Sequence, residues 1–142
     1  MQTDLPPNTY AADCPTRQIL DRIADKWAVL ILQLLADEPQ RFNALRRKIQ
    51  GLSQKVLSQT LKTLERDGFV TRTAFPTVPV TVEYALTPLG ASLAETLTPL
   101  SRWAEAHIKD VEAARAAFDH RRATSGEGVP QGQTESHAPV AL

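Results

Sequence analysis

A single cysteine, Cys14, stands in this 142-residue chain. That excludes an intrachain disulfide and any Cys-rich zinc site, while a covalent link between two subunits stays open. Long apolar runs are missing too. None approaches the roughly 20 residues that span a bilayer, so no membrane partner is expected. The N-terminus, MQTDLPPNTY, has neither the basic patch nor the apolar core of a signal peptide, and a cytoplasmic location is expected. There is no nucleophile elbow, no phosphate loop, no metal-ligand spacing and no pair of carboxylates in a plausible cleft. An enzyme, a metal site and a cofactor are therefore not expected. What the composition does describe is one globular domain with a modest core.

Net charge is also absent: 16 Lys/Arg stand against 16 Asp/Glu. The balance is uneven along the chain, however. Residues 41–72 carry eight bases (Arg41, Arg46, Arg47, Lys48, Lys55, Lys62, Arg66, Arg72) and two acids (Glu65, Asp67), a local charge of +6. The remainder holds eight bases and fourteen acids, or −6. Such segregation is how a neutral protein presents a nucleic-acid-binding face, although a solvated helix face has the same charge pattern.

Residues 1–13, with Pro6 and Pro7, read as a flexible arm. From Cys14 onward Ile19, Leu20, Ile23, Trp27, Leu30, Ile31, Leu34 and Leu35 recur at helical spacing, with Asp25 as a candidate break. Pro39 ends this part. A short helix is predicted from Phe42 to Ile49 and closed by Gly51. A further helix opens at Ser53 as N-cap and ends at Gly68. FVTRTAFPTVPVTVEYALT then reads as a hairpin turning at Pro76 and Pro79. Thr87 caps a last helix with Pro88 in its first position. Leu89, Leu93, Leu97, Leu100, Trp103, His107, Val111, Ala114 and Phe118 form a stripe along it, about eight turns long at 3.6 residues per turn. Pro99 is expected to kink it. Residues 121–142 are rich in Gly, Ser, Pro and Gln and are expected to be a disordered tail.

The stretch SQKVLSQTLKTLERDG, residues 53–68, has two faces. On a wheel of 100° per residue, Leu57, Thr60, Leu61 and Leu64 gather on one side. Lys55, Gln59, Lys62 and Arg66 gather on the other, beside Ser58. The leucines belong to the core. The opposite face offers cations for phosphates and amide or hydroxyl groups for base edges. Ser53, Gln54, Lys55, Ser58 and Gln59, nearest the N-terminus, are expected deepest in a major groove, with Lys62, Arg41 and Arg72 as flanking contacts. Two helices before a charged helix and a hairpin directly after it make a winged helix-turn-helix: mainly α with a small β-hairpin and a long C-terminal dimerisation helix, the domain spanning 14–120 and that helix 88–119.

Several motifs together resemble the HxlR-type transcriptional regulators, bacterial relatives of the MarR group. They are Cys14-Pro15, Asp25-Lys26-Trp27, RFNAL at 41–45, SQKVLSQTL at 53–61, LERDGFVTR at 64–72 and VEYALTPLG at 82–90. The resemblance runs from about Cys14 to Trp103. It implies a homodimer that binds double-stranded operator DNA and controls transcription, and in many relatives an electrophile or oxidant acts as effector. Two features depart from the pattern. Asp25 stands where glycine is usual, which is expected to stiffen the helix junction. The wing tip TVPVT is neutral where an arginine is usual, which leaves Arg72 as the wing's phosphate contact and implies a weaker minor-groove grip.

The long stripe, left bare, would be an exposed apolar patch of the kind soluble monomers avoid. A twofold partner covers it and sets two recognition helices about 34 Å apart, which predicts a pseudo-palindromic operator. Cys14, ahead of Pro15, is the expected N-cap of the first helix, where the helix dipole favours a thiolate. In the resembled family a cysteine at this position senses oxidation or alkylation. An inert buried cysteine is the alternative. His107 is expected to be a hydrogen-bonded interface residue, and His120 and His137 are too far along to build a metal cluster with it. Trp27 and Trp103 are expected to anchor the core or an interface, with the lining of a small ligand pocket between helices as the alternative. Two competing readings remain: a ligand-responsive, redox-blind regulator, and a winged-helix protein-interaction module without DNA binding.

Overall fold

The computed structural model describes residues 10, 11 and 13–125. Most of the expected arm and the tail beyond residue 125 lie outside the described residues. Two compact units divide at Thr98/Pro99.

In the first unit, α1 (Pro15–Ala24) and α2 (Lys26–Asp37) meet at Asp25. This residue resolves the break left open by the sequence. Its backbone closes α1, donating to the Arg22 carbonyl, and its carboxylate caps α2, accepting from Trp27 N at 2.9 Å and Ala28 N at 3.4 Å. The aspartate oxygen satisfies two amides that a glycine at this position would leave to water. A two-residue strand, β1 (Gln40–Arg41), leads into α3 (Phe42–Lys48). Gly51 and Gly68 take the positive φ values, 83° and 85°, that their turns require. Between them runs α4 (Gln54–Arg66).

Strands β2 (Val70–Phe75) and β3 (Thr81–Leu86) form the expected hairpin, in register from Val70↔Leu86 to Phe75↔Thr81. The sheet has a third strand that the sequence did not announce. β1 pairs with β3 through Gln40↔Tyr84 and Arg41↔Glu83, giving the antiparallel order β1-β3-β2. The core beneath it is built from Ile31 and Leu32 of α2, Leu45 of α3, Leu57, Leu61 and Leu64 of α4 and Leu97, all fully buried. Trp27 packs against this core from its edge.

The last helix, α5 (Pro88–Ser125), starts as the sequence predicts. The Thr87 hydroxyl accepts from Gly90 N at 2.9 Å and donates to the Gly68 carbonyl at 2.6 Å. Gly90 itself sits against the Phe69 carbonyl. The helix passes continuously through Pro99 and continues to Ser125, so Arg121–Ser125 is helical and not part of a disordered tail. Arg121, Arg122 and Ala123 are good helix formers, and the Gly/Ser/Pro/Gln-rich composition belongs to the residues that follow them. In the second unit no described residue of α5 is buried. Trp103 is 57% exposed and stacks on His107, with ring centroids 4.5 Å apart, while His107 Nδ1 lies 2.9 Å from the Trp103 carbonyl. A carbonyl only accepts, so that nitrogen carries a proton.

Candidate nucleic-acid interface

The two-faced pattern of α4 becomes two surfaces. Leu57, Leu61 and Leu64 are buried, and Lys55, Ser58, Gln59, Lys62 and Arg66 are exposed. Ser53 is the N-cap, its hydroxyl accepting from Val56 N at 3.1 Å. The bond uses one lone pair and leaves the hydroxyl hydrogen available. Gln54 and Lys55 stand exposed in the first turn, where amides without intrahelical partners give the helix end a partial positive charge.

One flank of α4 borders an open groove of about 920 Å³. Its near wall holds Ser58, Lys62 and Glu65. Its floor comes from β1 and α3, with Arg41, Asn43 and Arg47. Its far wall is the hairpin, with Arg72, Val80, Thr81 and Glu83. Four sequence-predicted residues, Arg41, Ser58, Lys62 and Arg72, are therefore brought to one groove. Gln59 is not among them. It faces the other flank, a hollow of about 270 Å³ shared with Arg22, Asp25, Trp27 and Thr63. Lys55 and Arg66 stand on the ridge between the two flanks by their position on the helix wheel.

Sequence reasoning counted Arg47 in the basic segment without giving it a contact, and passed over Asn43. The signal was available: they are four residues apart on α3, on a face that avoids the buried Leu45. Sequence reasoning also missed that Lys48 is tied down, donating to Gln40 Oε1 at 3.0 Å, where Gln40 is only 5% exposed. The groove carries Glu38, Glu65 and Glu83 beside its four cations. Its pull on a phosphate is therefore local to the side chains at its rim and does not extend over the groove as a whole.

Behind α4, Arg22 Nε of α1 donates to Asp67 Oδ2 at 2.5 Å. This ion pair joins the first helix to the C-cap of α4. Cys14 holds the predicted N-cap position ahead of Pro15, without a side-chain cap bond, and is 7% exposed. Among the described residues no group of three His, Cys, Asp or Glu is placed to hold a metal ion, and no helix is long and apolar enough to cross a membrane.

Known proteins are similar to this chain in sequence and fold. The HTH-type transcriptional regulator YtfH of Escherichia coli K12, itself uncharacterized, is 46% identical over 108 residues, covering 76% of this chain and 86% of that protein. The solved structure of ytfH from Salmonella typhimurium has a TM-score of 0.74 at 43% identity and covers 78% of this chain and 99% of that one. The redox regulator HypR in its reduced form has a TM-score of 0.64 at 33% identity, covering 70% of this chain and 98% of the other. The family model for HxlR-like helix-turn-helix proteins matches residues 22–112, from the end of α1 into α5, and the chain belongs to that family.

Proposed function

We propose that the protein is a homodimeric, cytoplasmic transcriptional regulator that binds operator DNA through α4. The observation that carries this reading is the exposed outer side of α4, with Lys55 and Arg66 on its ridge and Gln59 and Lys62 on its two flanks, backed by buried leucines and bordered by a groove that adds Arg41, Arg47 and Arg72. Gln59 is suited to adenine and Lys55 to guanine in a major groove, while the flanking arginines hold phosphates and fix the register. The relatives named as transcriptional regulators support it. A protein-interaction module with its charged face on an acidic protein would share the fold but bind no duplex. Anisotropy with duplexes selected from a random library by the full chain tests the point. Binding is expected to weaken steeply with salt and to fall in Lys55→Ala and Gln59→Ala. If no duplex binds even at low salt, the reading fails.

The dimer rests on the exposed apolar residues of α5, Leu100, Trp103, Ile108 and Phe118, which nothing in their own unit buries. A second copy of the same helix is the symmetric way to cover them. Sedimentation at micromolar concentration is expected to give a dimer, and a stable monomer would refute it.

Control by Cys14 is the finer part of the proposal. An oxidant of the hydroperoxide class would join two Cys14 thiols across the dimer, the two sulfurs losing two electrons and two protons while the peroxide is reduced to an alcohol and water. The position at the N-terminus of α1 and the likeness to HypR support this reading. The burial of the sulfur favours the redox-blind alternative, since reactive thiols are partly exposed. Operator binding by Cys14→Ser, with and without hydroperoxide, separates the two. Redox control predicts release by the oxidant in wild type only.

A further inference from the structure

The hairpin ends in a loop of Pro76, Thr77, Val78, Pro79 and Val80 that carries no charge. Val78 is 100% exposed and Val80 is 65% exposed. The loop is held in shape from within. Thr77 N donates to the Phe75 carbonyl at 2.8 Å, and the Thr77 hydroxyl donates to the Pro79 carbonyl at 2.7 Å, 3.2 Å from the Thr81 hydroxyl. Two prolines restrict the backbone further. The result is a preorganised apolar knuckle, which loses little freedom on binding.

Single exposed valines are ordinary. The position of these is what matters. Pro79, Val80 and Thr81 form the far wall of the groove whose near wall is Ser58 and Lys62 of α4. An element that faces α4 across this groove lies over the neighbouring DNA strand when α4 occupies a major groove. Arg72 is three residues from the end of β2, about 10 Å at roughly 3.3 Å per residue. With Arg72 at a phosphate, that length is enough to carry the loop past the backbone toward the minor groove, which is about 6 Å wide.

The geometry points to Val78 and Val80 as readers of the minor groove that select A·T pairs beside each half-site by apolar contact. The inference rests on the DNA-binding reading above. Over A·T, the groove floor presents the adenine C2–H, against which valine methyl groups pack. Over G·C, the guanine amino group projects into the groove, and a valine has no acceptor to offer it. Covering that amino group strips its water and returns no hydrogen bond. An arginine at the tip would grip by charge, whereas these valines discriminate without adding any.

The test uses a duplex selected from a random library by the full-length protein. Base pairs flanking each half-site are set to A·T, G·C or inosine·C, the last keeping the major-groove edge of G·C but lacking the amino group. Anisotropy is read at several salt concentrations for wild type and for Val78→Ser/Val80→Ser, whose fold is checked by circular dichroism. Wild type is expected to bind A·T and inosine·C flanks equally, and about tenfold more tightly than G·C flanks, the lower end of what one wrong base pair costs a specific complex. The double variant is expected to lose this preference while keeping the same salt slope. Equal binding of wild type to all three flanks overturns the inference, as does a preference that survives in the variant or a uniform loss on every flank. A knuckle that instead docks on protein would give the first of these results. If no duplex is bound, the DNA-binding reading itself fails, a result separate from indifference to the flanks.

Discussion

Replacing Gly90 with alanine sets helix propensity against packing. Position 90 lies in the first turn of α5, where alanine is favoured over glycine by about 1 kcal/mol. Propensity alone therefore predicts a more stable protein. The structure predicts the reverse. A Cβ at Gly90 would stand 2.0 Å from the Phe69 carbonyl oxygen, 2.9 Å from its carbon and 3.2 Å from Leu86 Cδ2. The first two neighbours are backbone and cannot swing aside, so the start of α5 has to lift from Phe69. That movement strains the bond from Thr87 N to the Phe69 carbonyl, 3.1 Å, and the bond from the Thr87 hydroxyl to the Gly68 carbonyl, 2.6 Å. Overpacking costs about 1–3 kcal/mol and each weakened hydrogen bond about 1 kcal/mol. After the propensity gain, a net loss of about 2–4 kcal/mol is expected, a large share of a total near 5–15 kcal/mol. Urea titrations followed by circular dichroism, at one fixed protein concentration, measure it. Ala91→Gly at the exposed neighbouring position is the control. Propensity alone raises the stability of Gly90→Ala and lowers that of Ala91→Gly, whereas the contact with Phe69 lowers both. A Gly90→Ala protein as stable as wild type would refute the reasoning.

Three other perturbations are decided by single interactions. Asp25→Ala removes the cap of α2 and is expected to cost about 1–2 kcal/mol in the same titration. Asp25→Gly also deletes the carboxylate that binds Trp27 N and Ala28 N, but is expected to lose only about a few tenths of a kcal/mol, because glycine leaves those amides open to water. Thr87→Val keeps the shape and deletes both hydroxyl bonds, and a loss of about 1–2 kcal/mol is expected by thermal denaturation. Arg22→Gln breaks the partly exposed pair with Asp67 and is expected to cost no more than about 1 kcal/mol, so a loss well above that would mean the pair is more than a surface contact.

The helices were legible because their leucines repeat every three or four residues, and their ends because Ser53, Gly68, Thr87 and Pro88 have one good use each. Asp25 was ambiguous because it serves two helices at once, and no periodicity signals that. β1 was invisible because two residues carry no alternation, and Gln40–Arg41 becomes a strand only once Tyr84 and Glu83 are alongside. In the candidate interface, the outward side of α4 could be read from the wheel. Its division into two flanks could not, since whether Gln59 faces α1 and α2 or the hairpin depends on how α4 packs. The same holds for Cys14. Its place before Pro15 was readable, but the burial of its sulfur comes from tertiary contacts. Arg22 and Asp67 meet across 45 positions, which no local pattern encodes.

The zero net charge then acquires a physical reading. A uniformly basic protein of this size would be drawn to any nucleic acid, since the phosphate term takes no account of sequence. Here the segment from Arg41 to Arg72 keeps its +6 while the rest of the chain carries −6, so attraction is confined to one orientation and falls off when another face approaches. The strength of that attraction can be bounded. Lys48 is engaged by Gln40, while Arg41, Arg47, Lys62 and Arg72 line the groove, and Lys55 and Arg66 stand on the ridge. Four to six phosphate contacts per subunit give a slope of log K against log salt of about −4 to −5, and about twice that for a dimer on both half-sites. Lys62→Ala is expected to reduce the steepness by about one unit per subunit and to weaken all duplexes alike. A dimer slope shallower than about −3 would mean that the groove cations are spent on Glu38, Glu65 and Glu83 instead of on DNA.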